Sequence, residues 1–178
     1  VPIKDDQTNT VSVNPEVTNA LEEQLQTEPR DLLDAYVVIW TTTPWTMPSN
    51  KAVVYGENIS YGLYEITGCP EESWVTIGDR FLLADNRAAD VMTHARLKEG
   101  MYRRVRDVSN EELAGIRLSH PLAGAEGGNG EWDDARDFRA AEFVTDTEGT
   151  GFVHCAPSHG LEEYELYRDL NMLDQVIT

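Results

Sequence analysis

The run Ala-Tyr-Val-Val-Ile-Trp at residues 35–40 is apolar without interruption and rich in β-branched and aromatic side chains. Such a run predicts a strand buried on both faces. It stops at Thr41-Thr42-Thr43-Pro44-Trp45-Thr46-Met47-Pro48-Ser49-Asn50, where Pro44 and Pro48 exclude a regular helix or a central strand. Three hydroxyls are thus expected at the mouth of a buried strand, on a stiff, irregular segment. Residues 52–55, closed by Gly56, and residues 61–66, 74–77, 138–145 and 151–156 predict further strands, with a Gly68-Cys69-Pro70 turn among them. Ala88, Val91, Met92 and Ala95 recur at helical spacing behind Asn86, and Ser109 with Glu112 forms a capping box before a short helix that Gly115 ends. In the polar segment 1–31, Asn14-Pro15 precedes Val17, Ala20, Leu21 and Leu25, which predicts a solvated outer helix. Residues 121–137, dominated by glycine and acid, are expected to form a mobile surface loop. Several strands with a few peripheral helices, not strictly alternating, predict an α+β domain with a barrel-like mixed β-sheet core.

At 178 residues the chain suits a single domain spanning 1–178. It carries 14 Lys and Arg against 32 Asp and Glu, a formal net charge of −18. That balance argues against a broad basic face for nucleic acid, because phosphate contacts need clustered cations. It leaves room for a domain that takes only the end of a nucleic acid held elsewhere. Two cysteines, Cys69 and Cys155, are too few for a disulfide framework and suit a reducing, cytoplasmic compartment. No apolar run approaches the roughly 20 residues of a membrane span. The sequence starts at Val1 with neither an initiator Met nor a signal-peptide pattern, which reads as a piece excised from a longer protein.

The richest stretch is Gly149-Thr-Gly-Phe-Val-His-Cys-Ala-Pro-Ser-His-Gly-Leu-Glu-Glu-Tyr164. A turn leads into a strand ending near Pro157, and a helix starts near Ser158 or Gly160 and runs to about Leu170. On that helix Glu163 shares a stripe with Leu166, Tyr167 and Leu170, whereas Glu162 lies opposite with Glu165 and Asp169. An inward carboxylate is costly without a cationic partner, and Arg168 lies on another side of the helix. Glu163 is therefore a site candidate on physical grounds. Plainer roles stand beside the sharper ones. The threonines suit strand chemistry, Trp45 a core anchor, Asn50 a loop cap, His154 a satisfied core histidine and Cys155 a small buried filler. His159 serves the strand-to-helix turn, and His94 and His120 look incidental.

The two segments, 41–50 and 149–164, resemble the signature segments of the editing domain of isoleucyl-tRNA synthetases, the domain inserted into the catalytic core of the class I enzymes for isoleucine, valine and leucine. Thr43-Pro44-Trp45 and His154 match the isoleucyl version; the valyl and leucyl relatives tend to have an Arg after the first two threonines and to lack the histidine. The resemblance covers essentially the whole chain. It implies the editing-domain fold and post-transfer editing: hydrolysis of the aminoacyl ester of mischarged Val-tRNA(Ile), with water as nucleophile and isoleucine excluded by size. It implies that Thr41, Thr42 and Thr43 contact the terminal adenosine and ester, with Trp45, Thr46, Asn50 and Val153 as further substrate-binding members. His154 would wall the amino-acid pocket, and Glu163 takes the place of a family Asp that binds the α-ammonium. The implied partners are the 3′-terminal aminoacyl-adenosine of tRNA(Ile) and the catalytic core of the parent synthetase in cis. No cofactor or metal is expected. The nucleotide-binding signatures of the synthetase core are absent from these residues, so no amino-acid activation is expected.

Two other classes stay open at this point. A metal-dependent hydrolase would use His154, His159 and Glu162 or Glu163, although Pro157 and the i, i+5 spacing keep the two imidazoles off one helix face. A non-catalytic module would bind adenosine-ended RNA and release nothing.

Overall fold

The structure, a computed structural model, describes residues 30–176. The helix expected behind Asn14-Pro15 lies outside them, and the first described element is a single turn, α1, at Arg30–Leu33. The chain divides after Asp34, and the described strands all lie beyond that point.

Among the described residues, eight strands make two four-stranded sheets. The first has the order β1 (Ala35–Val37), β4 (Arg80–Ala84), β3 (Tyr61–Ile66), β5 (Tyr102–Val108). The second has the order β6 (Arg117–Leu118), β7 (Arg136–Ala140), β2 (Ala52–Tyr55), β8 (Phe152–Cys155). Each sheet is mixed. β1 runs parallel to β4 and β2 parallel to β7, and the other pairs are antiparallel. This is the expected α+β class with a mixed sheet core.

Strand alternation sorts the side chains into layers. Tyr64, Ile66, Phe81 and Leu83 face one way and pack with Ala88 and Met92 of α2 (Asp85–His94). Ala52, Val54 and Cys155 of the second sheet pack with Tyr167 of α4 (Leu161–Asp169). The opposite faces carry an aromatic group. Tyr61 stacks on Phe152 at 4.6 Å, Phe138 lies 5.4 Å from Phe152, and Tyr55 meets both Tyr61 and Phe138 edge-on. His154 follows Phe152 by two and points to that same face of β8.

A polar knot holds the first sheet to α2. The Asp85 carboxylate accepts from Tyr64 Oη at 2.6 Å and from Arg104 Nε and Nη2 at 2.9 and 2.8 Å. Burial works against the charged form of Asp85, but the bonds from Arg104 and Tyr64 outweigh it and lower the pKa. Gly62 makes room, since a Cβ there would lie 2.6 Å from Asp85 Oδ1. Ser109 and Glu112 form the expected reciprocal capping box on α3 (Asn110–Gly115).

Several expectations need correction. The run at 35–40 is not a strand buried on both faces. Only Ala35–Val37 pair as a strand, β1 is a sheet edge, and Tyr36 and Trp40 are exposed. Residues 74–77 are not a strand. Asp79 accepts from both Thr76 N–H and Thr76 Oγ1, which folds them into a turn, and Trp74 and Ile77 are 70% and 67% exposed. The strand expected at 138–145 occupies Arg136–Ala140 instead. Conversely β4 and β5 are strands that hydrophobic patterning passed over.

The Gly149-Thr150-Gly151 turn ties the sheets together ahead of β8. Ala84 N–H at the end of β4 donates to Thr150 O, and Tyr61 Oη donates to Gly151 O at 2.8 Å while accepting from Gly56 N–H at 2.9 Å. Gly151 has φ +83°, and a Cβ on it would fall 2.2 Å from the Cβ of Ala84. Gly151→Ala is expected to destabilise the fold by about 2–4 kcal/mol, combining left-handed strain with overpacking. Urea unfolding with an unchanged m-value and a lowered midpoint checks this.

Candidate functional site

β8 brings the two singled-out segments together. On one side it pairs with β2, Val53 opposite His154. On the other, Trp40 forms a parallel bridge with Val153, so the chain that continues into the threonines passes beside His154. Lys51 N–H donates to Cys155 O at 2.9 Å and closes the segment against β8 from its far end.

Between these anchors the chain turns tightly. Thr43 N–H donates to Thr41 Oγ1 at 3.0 Å, and a 3-10 helix follows at Pro44–Ser49, with Pro44 at its start where no amide hydrogen is needed. Thr46 and Asn50 are buried while Thr42, Thr43 and Trp45 are exposed. Trp45, expected as a core anchor, is 74% exposed. In a tight helix that turns Thr46 inward, the neighbouring residue must face out.

His154 is 5% exposed and both its nitrogens are engaged. Asn50 Nδ2 lies 2.7 Å from Nδ1 and 2.8 Å from Ala52 O. The carbonyl of Ala52 can only accept, so the amide nitrogen must face it, and its second hydrogen points at Nδ1. Nδ1 is therefore the acceptor. Thr46 Oγ1 lies 2.9 Å from Nε2 and donates its own hydrogen to Thr43 O at 2.8 Å. It must accept from Nε2–H. The two bonds together define a neutral imidazole with its hydrogen on Nε2. Burial, and the nearby His120 and His159, push the His154 pKa down, in keeping with that state. From Thr46 a run of hydroxyls continues outward, 3.4 Å to Thr43 Oγ1 and 3.4 Å more to Thr41 Oγ1.

The structure thus joins Thr41, Thr43, Thr46, Asn50 and His154 in one chain of polar contacts. Thr42 stands exposed beside it. Val153 turns its side chain towards the cluster of Cys155 and Tyr167. Glu163, half-buried in the first turn of α4, reaches the end of β8 from the Cys155 side, while Glu162 is exposed as the helical stripe predicts. Burial and the charge of Glu163 raise the Cys155 thiol to about 12, so it is inert. The Glu163 carboxylate curls back over Gly160: a Cβ on that glycine would fall 1.7 Å from Oε2. His159 lies in the strand-to-helix turn with Nδ1 2.9 Å from Ser158 Oγ. Among the described residues, no three His, Cys, Asp or Glu side chains group as metal ligands, and no helix is long and apolar enough to cross a membrane.

His120, expected to be incidental, is instead 3% exposed and contacts the backbone of the 3-10 helix. The available signal was the company it keeps. Trp132 and Arg136 stand in a stretch otherwise made of small and acidic residues, where a purely solvated loop has no use for an indole.

Since His154 has a folded-state pKa below its ordinary 6.5, the unfolded chain takes up that proton first as pH falls. Its contribution to stability is full above about pH 6.5 and is lost as pH drops towards the lowered value. The unfolding free energy is expected to fall as pH drops below about 6.5, and to fall less in His154→Gln, as urea titrations at each pH would record.

No family profile matches the chain. It is 74% identical over 148 residues to an isoleucine–tRNA ligase of Ruegeria pomeroyi, a match covering 83% of this chain and 15% of that protein. It is 43% identical over 143 residues to the Bartonella henselae isoleucine–tRNA ligase, covering 80% of this chain and 14% of the relative. The chain therefore spans about a seventh of the length of these relatives. Among solved structures it resembles the P. falciparum cytosolic leucyl-tRNA synthetase editing domain, with a TM-score of 0.59 and 12% identity over 94% of this chain and 61% of that one. It likewise resembles GlLeuRS-CP1, with a TM-score of 0.57 and 21% identity over 93% of this chain and 56% of that one. With close sequence kinship to these ligases, the chain belongs to the isoleucine–tRNA ligase family, and its fold is the one seen in the leucyl-tRNA synthetase editing domains.

Proposed function

We propose that this domain edits: it hydrolyses the ester joining valine to the terminal adenosine of tRNA(Ile), with water as the nucleophile, and refuses isoleucine by size. The observation that carries this reading is the hydroxyl-to-imidazole chain from Thr41 to His154, in a segment homologous to isoleucine–tRNA ligases. An aminoacyl ester is already activated, so the task is to place water and stabilise a developing oxyanion. The exposed hydroxyls of Thr42 and Thr43 can donate to an oxyanion and accept from water. Trp45 offers a free indole face on which a base can stack.

The bonds to His154 decide its role. Its only lone pair points at Asn50, inside the protein, so it is not the general base. A rigid, uncharged, buried ring serves as a wall of fixed position, which is what exclusion by size requires. One methylene is worth only about 1–3 kcal/mol in a binding pocket, so a second pocket that rejects the larger side chain by contact is effective. Thr46 and Asn50 then support the wall. The role assigned to Glu163 is to hold the substrate's α-ammonium with its curled carboxylate. Pairing with that cation compensates the half-buried charge.

Three measurements test the proposal. The protein should release valine from Val-tRNA(Ile) and leave Ile-tRNA(Ile) intact. Thr42→Val should lower the rate by about 10–1000-fold through loss of one donor. Glu163→Gln should raise KM more than it lowers kcat, because an ammonium contact is made equally before and during reaction. Retention of a nonhydrolysable valyl-adenosine analogue without any turnover of the ester would mark a binding module instead. Loss of activity on chelation, restored by a divalent metal, would mark the metal-dependent alternative.

A further inference from the structure

The 3-10 helix that carries Thr46 ends in carbonyls with acceptor capacity to spare: Met47 O takes only the Asn50 N–H at 3.0 Å from the backbone, and the carbonyls of Pro48 and Asn50 follow that last helical acceptor. Two side chains from the segment between β6 and β7, and Arg136 at the start of β7, bind them. His120 Nε2 donates to Met47 O at 3.0 Å, Trp132 Nε1 donates to Pro48 O at 3.0 Å, and Arg136 Nε donates to Asn50 O at 3.0 Å. The three are themselves braced. His120 Nδ1 accepts from Leu122 N–H at 3.0 Å, which leaves its hydrogen on Nε2 for Met47. Its ring stacks on Trp132 with centroids 6.1 Å apart and planes within 13°. Arg136 also donates from Nη1 to Asp134 O and from Nη2 to Glu131 O, and Gly124 N–H donates to Asp133 at 2.9 Å, so the segment grips itself.

We propose that His120, Trp132 and Arg136 are positioning residues for His154: by holding the backbone at 47–50 they set where Thr46 and Asn50 grip the imidazole. The coupling is short. The carbonyl held by Arg136 belongs to Asn50, the residue whose side chain donates to Nδ1. Met47, held by His120, is the neighbour of Thr46, which accepts from Nε2. Neither imidazole contact tolerates much drift, because the donor and acceptor sides of the ring are each defined by a single partner. None of the three residues touches the exposed hydroxyls, so their effect on chemistry runs through the ring. The proposal deepens the editing assignment, and its activity arm rests on that assignment.

The experiment follows the ring and the reaction separately. Trp132→Phe keeps the stacked ring and removes only the donor to Pro48, and Arg136→Lys keeps the charge and removes the fork. In both variants the His154 ring-nitrogen NMR shifts should move from the pure Nε2–H pattern towards a mixture of tautomers. Release of valine should slow by about tenfold or more in kcat with KM little changed, as expected when a reacting geometry is loosened. His120→Gln, whose amide can still reach Met47 O, should recover most of the rate lost in His120→Ala. Unchanged ring shifts in folded Trp132→Phe and Arg136→Lys overturn the proposal. So does a loss of rate that follows unfolding midpoints alone across all four variants. If ring shifts respond but the parent protein releases no valine, the positioning role stands and the editing assignment falls.

Discussion

A histidine buried between a donor and an acceptor has only one comfortable protonation state, and much of this domain follows from that constraint. Asn50 cannot turn its amide without setting two oxygens against each other at Ala52. Thr46 cannot donate to the ring without abandoning Thr43. The imidazole of His154 is therefore uncharged and oriented by elements that lie more than a hundred residues away in sequence. That arrangement disqualifies it as a proton acceptor and qualifies it as a surface of fixed shape. In the editing reading the reactive work falls to hydroxyls and water, which suits an ester that needs no covalent intermediate.

What the chain revealed before folding was unequal, for physical reasons. β2 and β8 were legible as short, nearly continuous apolar runs because both their faces are covered, and α4 because one stripe packs against a cluster. The capping box at Ser109 was legible because its two bonds are local. β5 left no period. It carries Arg103, Arg104 and Arg106, and its support comes from charged partners such as Glu65 and Asp85, contributed by other elements. The run at 35–40 misled in the opposite direction, because apolar content does not distinguish a central strand from an edge that leaves Tyr36 and Trp40 open. For the site, the threonines, Asn50 and His154 were singled out by the resemblance of residues 41–50 and 149–164 to known signature segments, since residue types alone gave them plainer roles. The resemblance could not separate the side chains that face outward from those that hold the ring, since that depends on the direction each takes in a 3-10 turn.

The charge balance acquires a clearer meaning beside the site. With 14 cations against 32 acids, and many of the arginines occupied in ion pairs or carbonyl contacts, the surface offers little for a phosphate backbone. The exposed groups flanking the hydroxyls are indoles, Trp40 and Trp45, which recognise the flat face of a base and are indifferent to charge. In the editing reading, such a domain reads the tip of a nucleic acid by shape and stacking and leaves the grip on its phosphates to other parts of a longer protein.

Gly160 and Glu163 share one small volume: the glycine's missing side chain is the space into which the carboxylate folds. The backbone there is extended, with φ −122°, so any residue could adopt it, and the requirement for glycine is purely one of room. The atoms that a side chain at 160 would meet are the free end of Glu163, which can swing aside, so bulk there is tolerable for the backbone and its consequence is to redirect the acid.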